Sequence, residues 1–162
     1  MDIQPVRKKN RLQNYDYSQN GAYFITICTE NRKCLLSTIV GATLGRPAYV
    51  QLTQWGLDVE QAILRVPQCY PDVHLEKYVV MPNHIHLLLM IDTVHGRPRV
   101  APTVSQIIQQ TKGLATKMIG TQVFQKSFHD HIIRDEAHYQ LIWNYIDTNP
   151  DRWKQDCFYT EE

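Results

Sequence analysis

Two histidines separated by one apolar residue, His84 and His86, are the side chains whose types and spacing most clearly suggest chemistry. They stand in the segment Met81-Pro82-Asn83-His84-Ile85-His86-Leu87-Leu88, which opens an apolar run typical of a buried strand. Side chains alternate between the faces of a strand, so both imidazoles should project from one face while Ile85 enters the core. Their Cα atoms would lie about 6–7 Å apart, close enough for the imidazoles to hold one divalent metal.

The ordinary explanation of such a pair is a packed or surface histidine, and seven histidines in one chain make chance pairs common. A second pair, His129 and His131, encloses Asp130. In that pair a charged residue would lie where the core should be, which is costly. The apolar Ile85 between His84 and His86 therefore favours that pair as the metal ligands.

A tyrosine and an asparagine four residues apart could complete the site. Tyr145 and Asn149 follow Leu141 and Ile142 at helical spacing, so both should point from one helix face about 6 Å apart. Taken alone, Tyr145 fits a core aromatic of an amphipathic helix, and Asn149 fits a helix end before Pro150. If this face meets the histidine strand, one site contains two imidazoles, an amide oxygen and a phenol.

The elements that must position these residues follow from periodicity and capping signals. Strand character is found in residues 22–29, 75–80, the histidine strand and 124–133, with a short strand near 48–52. Thr53 should cap a helix to about residue 66, a capping box of Thr103 and Gln106 opens a second helix that Gly120 closes, and Asp135 caps the last. This order predicts an α+β fold, a ferredoxin-like antiparallel sheet with helices on one face and an added C-terminal helix.

Length and composition indicate a single domain over residues 1–162, since 43% of the residues are hydrophobic and can form a core. No apolar run approaches the ~20 residues needed to span a bilayer, so we expect no membrane association and a cytoplasmic location. The four cysteines lack Cys-x-x-Cys spacing, which indicates reduced thiols rather than a zinc site.

A basic arm over residues 1–20 is the main feature that suggests nucleic-acid binding, because the net charge is only +1. Cations in such a segment can neutralise phosphates, and aromatic rings can stack on unpaired bases. A solvated terminus is the ordinary alternative. The candidate DNA-binding residues are Arg7, Lys8, Lys9, Arg11, Tyr15 and Tyr17.

The motifs together resemble a known family. The histidine motif after Met81-Pro82-Asn83 is similar to that of the tyrosine transposases that act on single-stranded DNA, and most of all to the REP-associated tyrosine transposases, which process repetitive palindromic elements. Three further segments are similar to family motifs and occur in the same order. They are residues 21–29, residues 128–136 and Tyr145-Ile146-Asp147-Thr148-Asn149-Pro150.

The resemblance implies roles for the candidate residues. His84, His86 and Asn149 would bind a divalent metal, Mg²⁺ or Mn²⁺, and Tyr145 would be the nucleophile that forms a 5′-phosphotyrosine link. Many relatives have glutamine where Asn149 stands. The implied substrate is single-stranded DNA with hairpins, and relatives include both homodimers and monomers. The alternatives are a DNA-hairpin-binding protein whose catalysis has lapsed and an RNA-binding ferredoxin-like module.

Overall fold

A four-stranded antiparallel sheet forms the centre of the computed structural model, which describes residues 14–41, 45–93 and 102–161. The basic residues of the arm, Arg7, Lys8, Lys9 and Arg11, lie outside the described residues. The four strands are β1 (Gly21–Cys28), β4 (Val73–Val80), β5 (His84–Ile91) and β6 (His129–Ile133), and they lie in the order β4-β5-β1-β6. Strands β4 and β5 form the predicted histidine hairpin, and β6 lies at an edge, as the polar residues of that segment suggested.

Four α-helices accompany the sheet, α1 (Gln54–Leu64), α2 (Val66–Cys69), α3 (Val104–Ile119) and α4 (Glu136–Thr148). The predicted caps are confirmed. Thr53 accepts from the Gly56 N–H, Thr103 and Gln106 form a capping box, and Asp135 accepts from the His138 N–H. Two short 3-10 helices, Glu30–Arg32 and Pro150–Gln155, complete the helical segments of the described residues.

The sheet separates two apolar clusters. One face carries buried side chains such as Tyr23, Ile25 and Leu87, which pack with those of α1 and α3. The opposite face carries Leu88, which packs with residues of α4 such as Ile146. The predicted α+β fold is confirmed, and the added C-terminal helix lies on the histidine face of the sheet.

The structure differs from the sequence-based elements in three places. A strand β2 (Ser37–Val40), which the sequence analysis missed, pairs with β3 (Tyr49–Leu52) in a separate hairpin. The segment 124–133 is regular only over β6, because Phe124 makes an isolated bridge to Thr29 instead. The first helix ends two residues earlier than predicted, at Leu64. The short helix α2 follows it, with Pro67 in the first turn, where the missing N–H of proline costs little.

No helix in the described part of the chain combines the length and the apolar character that a membrane crossing requires.

One glycine fixes how closely α1 can approach the segment before β2. A Cβ atom built on Gly56 would lie 2.0 Å from the Leu36 carbonyl oxygen, which is backbone and cannot rotate away. That same carbonyl accepts from the Thr53 N–H at 2.9 Å. The N-terminus of α1 can therefore pack here only because residue 56 has no side chain.

Gly56→Ala should lower the free energy of unfolding by roughly 1–3 kcal/mol, as overpacking at a buried site does. Gly113→Ala in α3 is the matched control, since a Cβ there meets nothing within 4 Å and alanine favours a helix by up to ~1 kcal/mol. Urea denaturation of both variants measures the difference. Equal stabilities would contradict the close approach at Gly56.

Candidate active site

The two imidazoles of β5 point at each other from one face of the sheet. His84 and His86 are 0% and 1% exposed, and their Nε2 atoms are 3.1 Å apart. Their neighbours in β1 are Cys28 and Thr26, respectively. The alternation of side chains along β5 thus brings together the two residues that the sequence predicted.

The other nitrogen of each ring is held by a neighbouring side chain. His84 Nδ1 lies 2.8 Å from Asn83 Oδ1. The Asn83 amide nitrogen donates to the Phe158 carbonyl at 2.8 Å. The amide oxygen of Asn83 is therefore the atom that faces His84. His84 Nδ1 therefore donates, which leaves Nε2 as a free lone pair. His86 Nδ1 lies 2.9 Å from Thr26 Oγ1, an arrangement that allows the same tautomer.

Burial keeps both rings uncharged. It lowers the pKa of His84 to about 4, although the Asp156 carboxylate acts in the opposite direction. Burial also lowers the pKa of His86 well below its usual value, and His84 adds to that shift. Both imidazoles are consequently neutral near pH 7, which is the form that binds metals.

Helix α4 brings a phenol and an amide to the same place. The Tyr145 ring centroid lies 5.3 Å from that of His86 and 5.9 Å from that of Phe24. Asn149, which caps the C-terminus of α4, is 2% exposed. Its Oδ1 atom is buried and has no hydrogen-bond partner among the described residues. All four predicted side chains therefore meet within one chain.

Polar contacts at the rim hold α4 on the sheet. Lys77 of β4 forms an ion pair with Asp147 at 2.6 Å, and its Nζ atom lies 4.5 Å from the Trp143 ring centroid. Two turns earlier, the Tyr139 hydroxyl donates to the Glu76 carboxylate at 2.9 Å. These contacts fix the position of the helix along β4.

Asp156 is a site residue that the sequence analysis missed. Its carboxylate accepts from Asn149 Nδ2 at 2.9 Å, and Oδ2 lies 3.5 Å from the Tyr145 hydroxyl. One ligand atom from each of His84, His86 and Asp156 lies within 4.8 Å of the other two. Burial raises the pKa of the Tyr145 phenol to about 12, and the nearby Asp156 carboxylate adds to the rise. The Tyr145 phenol is thus uncharged near pH 7.

The segment after α4 covers the imidazoles. The ring centroids of Phe158 and Trp153 lie 4.7 Å and 5.9 Å from that of His84. Arg32 places its guanidinium carbon 5.2 Å from the Phe158 centroid. This cover removes His84 and His86 from water.

The donor set fits a divalent cation. Two neutral imidazoles place their Nε2 atoms 3.1 Å apart, an amide oxygen is buried without a partner among the described residues, and a carboxylate is within reach. Adjacent ligands in octahedral coordination with bonds of about 2.1 Å lie about 3 Å apart, close to the 3.1 Å between the Nε2 atoms. A mixture of imidazole and oxygen donors suits divalent metal ions.

The remaining sequence candidates lie elsewhere. Tyr15 and Tyr17 are half-buried, and Tyr17 packs 6.3 Å from the Tyr23 ring on the sheet face opposite the imidazoles. His129 and His131 are both exposed on the edge strand β6.

Comparison with known proteins finds a relative in sequence and neighbours among the solved structures. No protein-family model matches the chain. An uncharacterized protein from Haemophilus influenzae is 31% identical over 175 aligned positions, which cover 96% of this chain and 94% of the relative. A REP-associated tyrosine transposase, solved bound to a REP hairpin, superposes with a TM-score of 0.62 at 22% identity over 86% of this chain and 72% of that chain. The two share a fold.

Thr26→Val should weaken Mn²⁺ binding roughly tenfold, because the partner that orients a metal-binding imidazole contributes that much to affinity. Thr111→Val is the matched control. Thr26 and Thr111 are 5% and 6% exposed, and the Thr111 hydroxyl donates within α3, to the Ile107 carbonyl at 2.8 Å. Titration calorimetry with Mn²⁺ compares the two. Similar affinities would show that Thr26 does not orient a ligand.

Proposed function

The chain belongs to the family of the Haemophilus influenzae protein and has the fold of a REP-associated tyrosine transposase, and we propose that it is a metal-dependent endonuclease and strand transferase for single-stranded DNA. The observation that carries the proposal is the meeting of Tyr145 with His84 and His86 in one chain. A phenol beside a candidate metal site provides the nucleophile and the Lewis acid that covalent cleavage of a phosphodiester needs.

His84, His86 and Asn149 would hold the cation, Mg²⁺ or Mn²⁺, and the Asp156 carboxylate lies within 4.8 Å of the ligand atoms of the two histidines. A bound cation would supply Lewis-acid chemistry to a phosphodiester. The residues of the chain do the rest. The two imidazoles remain neutral through burial, and Phe158 and Trp153 keep water from the His84 ring.

Tyr145 is the nucleophile. Its oxygen attacks the phosphorus, a bond from Tyr145 to phosphorus forms, and the bond from phosphorus to the 3′ oxygen of the preceding nucleotide breaks. The tyrosine proton passes to the solvent, the 3′ oxygen takes up a proton from the solvent, and the DNA remains attached as a 5′-phosphotyrosine. Attack of a 3′-hydroxyl on that link reverses the bond changes and joins strands, so the energy of the phosphodiester is conserved.

The substrate is single-stranded DNA beside a hairpin. The structural neighbour is bound to a REP hairpin, and this chain shares its fold. The complete set of His84, His86, Tyr145 and Asn149 supports catalysis over a lapsed hairpin-binding role.

Tyr145→Phe should abolish the covalent protein–DNA adduct while the fold and Mn²⁺ binding persist. The ring keeps its contacts with His86 and Phe24, and only the hydroxyl is removed. Incubation with hairpin-bearing single-stranded DNA and Mn²⁺, followed by denaturing gel electrophoresis, measures the adduct. Mass spectrometry should place the DNA of the unmodified protein on the peptide that contains Tyr145.

Tyr139→Phe is the control for this experiment. Tyr139 lies on the same helix, and its hydroxyl bonds to Glu76 at the rim. This variant should form the adduct at the normal rate, at a cost in stability of about 1 kcal/mol. His84→Ala should lose both the adduct and Mn²⁺ binding but still bind the hairpin. An adduct formed by the Tyr145→Phe protein would contradict the assignment of Tyr145 as the nucleophile.

Neutralising the basic arm should weaken DNA binding. Replacement of Arg7, Lys8, Lys9 and Arg11 by glutamine should reduce the slope of log K against log salt by roughly 0.7 for each phosphate that the arm no longer neutralises. Arg65→Gln with Lys117→Gln is the control, because these two cations line the same groove on the helical face opposite the imidazoles. Fluorescence anisotropy at several salt concentrations gives the slopes, and an unchanged slope would mean that the arm does not contact DNA.

A further inference from the structure

A hydrogen bond to Asp156 fixes the orientation of the Asn149 side chain. Its Nδ2 atom donates to Asp156 Oδ2 at 2.9 Å. A carboxylate can only accept, so the amide atom that faces it must be the nitrogen. The oxygen of the same amide points elsewhere, is buried, and has no hydrogen-bond partner in the described ranges.

The His84 side chain lies beside that amide. The ligand atoms of His84, His86 and Asp156 lie within 4.8 Å of one another. A buried amide oxygen without a partner costs stability, unless a cation or a water occupies the position in front of it. The arrangement is therefore suited to presenting Asn149 Oδ1 as a ligand.

Asp156 is itself held by the network that orients His84. Its Oδ1 atom accepts from the Phe158 N–H at 2.8 Å. The Phe158 carbonyl accepts from Asn83 Nδ2 at 2.8 Å, and Asn83 Oδ1 lies 2.8 Å from His84 Nδ1. One series of hydrogen bonds thus connects the atom that orients His84 to the carboxylate that orients Asn149.

We propose that Asp156 is a positioning residue, which accepts the Asn149 amide N–H and so turns Asn149 Oδ1 towards the metal held by His84 and His86. Asp156 acts through Asn149 and need not be a ligand itself. The inference rests on the proposed function, since it assumes that the imidazoles bind a cation.

The test separates this role from the charge of the carboxylate. Asp156→Asn and Asp156→Ala remove the same charge, but only asparagine keeps an oxygen that can accept from Asn149. Each is made with Asn149 and with Asn149→Ala, and Mn²⁺ affinity is measured on the full chain by electron paramagnetic resonance of free Mn²⁺. We expect Asp156→Asn to bind Mn²⁺ roughly tenfold more tightly than Asp156→Ala when Asn149 is present. The difference should disappear in the Asn149→Ala background.

Asp151→Asn and Asp151→Ala are the matched controls. Asp151 lies in the 3-10 helix before Asp156, and its carboxylate accepts from the Ala48 N–H at 2.6 Å, so neither change should affect Mn²⁺ affinity. Thermal melting checks that each protein is folded, and Asp156→Leu, which is close to asparagine in shape but has no hydrogen-bond acceptor, replaces Asp156→Ala if that protein does not fold.

Three other results have distinct meanings. A difference between Asp156→Asn and Asp156→Ala that persists in the Asn149→Ala background would make Asp156 a ligand in its own right and overturn the proposal. Equal affinities of the two variants with Asn149 present would overturn it as well. If the unaltered protein binds no Mn²⁺, the proposed function fails and this inference falls with it.

Discussion

The pairing of β5 with β1 is the constraint on which the rest of the structure depends. Strand β5 lies between β4 and β1 and is buried on both faces. Its side chains therefore alternate between the face that packs on α1 and α3 and the face that packs on α4. Ile85 and Leu87 pack with α1 and α3, whereas His84 and His86 face α4. A slip of one residue would exchange these sets and place imidazoles in the apolar core.

Burying the imidazoles is costly, and the surrounding polar groups offset that cost. Asn83 and Thr26 each bond one ring nitrogen, which leaves the other two nitrogens facing each other. Helix α4 is then fixed over them partly by contacts at its exposed side, such as the pair of Lys77 and Asp147. Exposed ion pairs contribute little to stability, so the apolar contacts of Ile146 hold this helix more strongly than its charges do.

Local patterns predicted much of the fold and four residues of the candidate site. Alternation along a strand placed His84 and His86 together, and helical spacing placed Tyr145 and Asn149 on one face. Asp156 could not be found in this way, because its position depends on a turn after the last helix and on the Phe158 N–H. Strand β2 was missed for a related reason. It is short, within the described residues it pairs with β3 alone, and the surrounding segment has the glycine and proline content of a loop.

The carboxyl-terminal segment has a practical consequence for work with this protein. Thr160 contacts Asn83 and Cys34, and Phe158 lies on His84, so the end of the described chain is packed against the residues that orient the imidazoles. A truncation before Phe158 would therefore uncover the His84 ring and remove the carbonyl that holds the Asn83 amide.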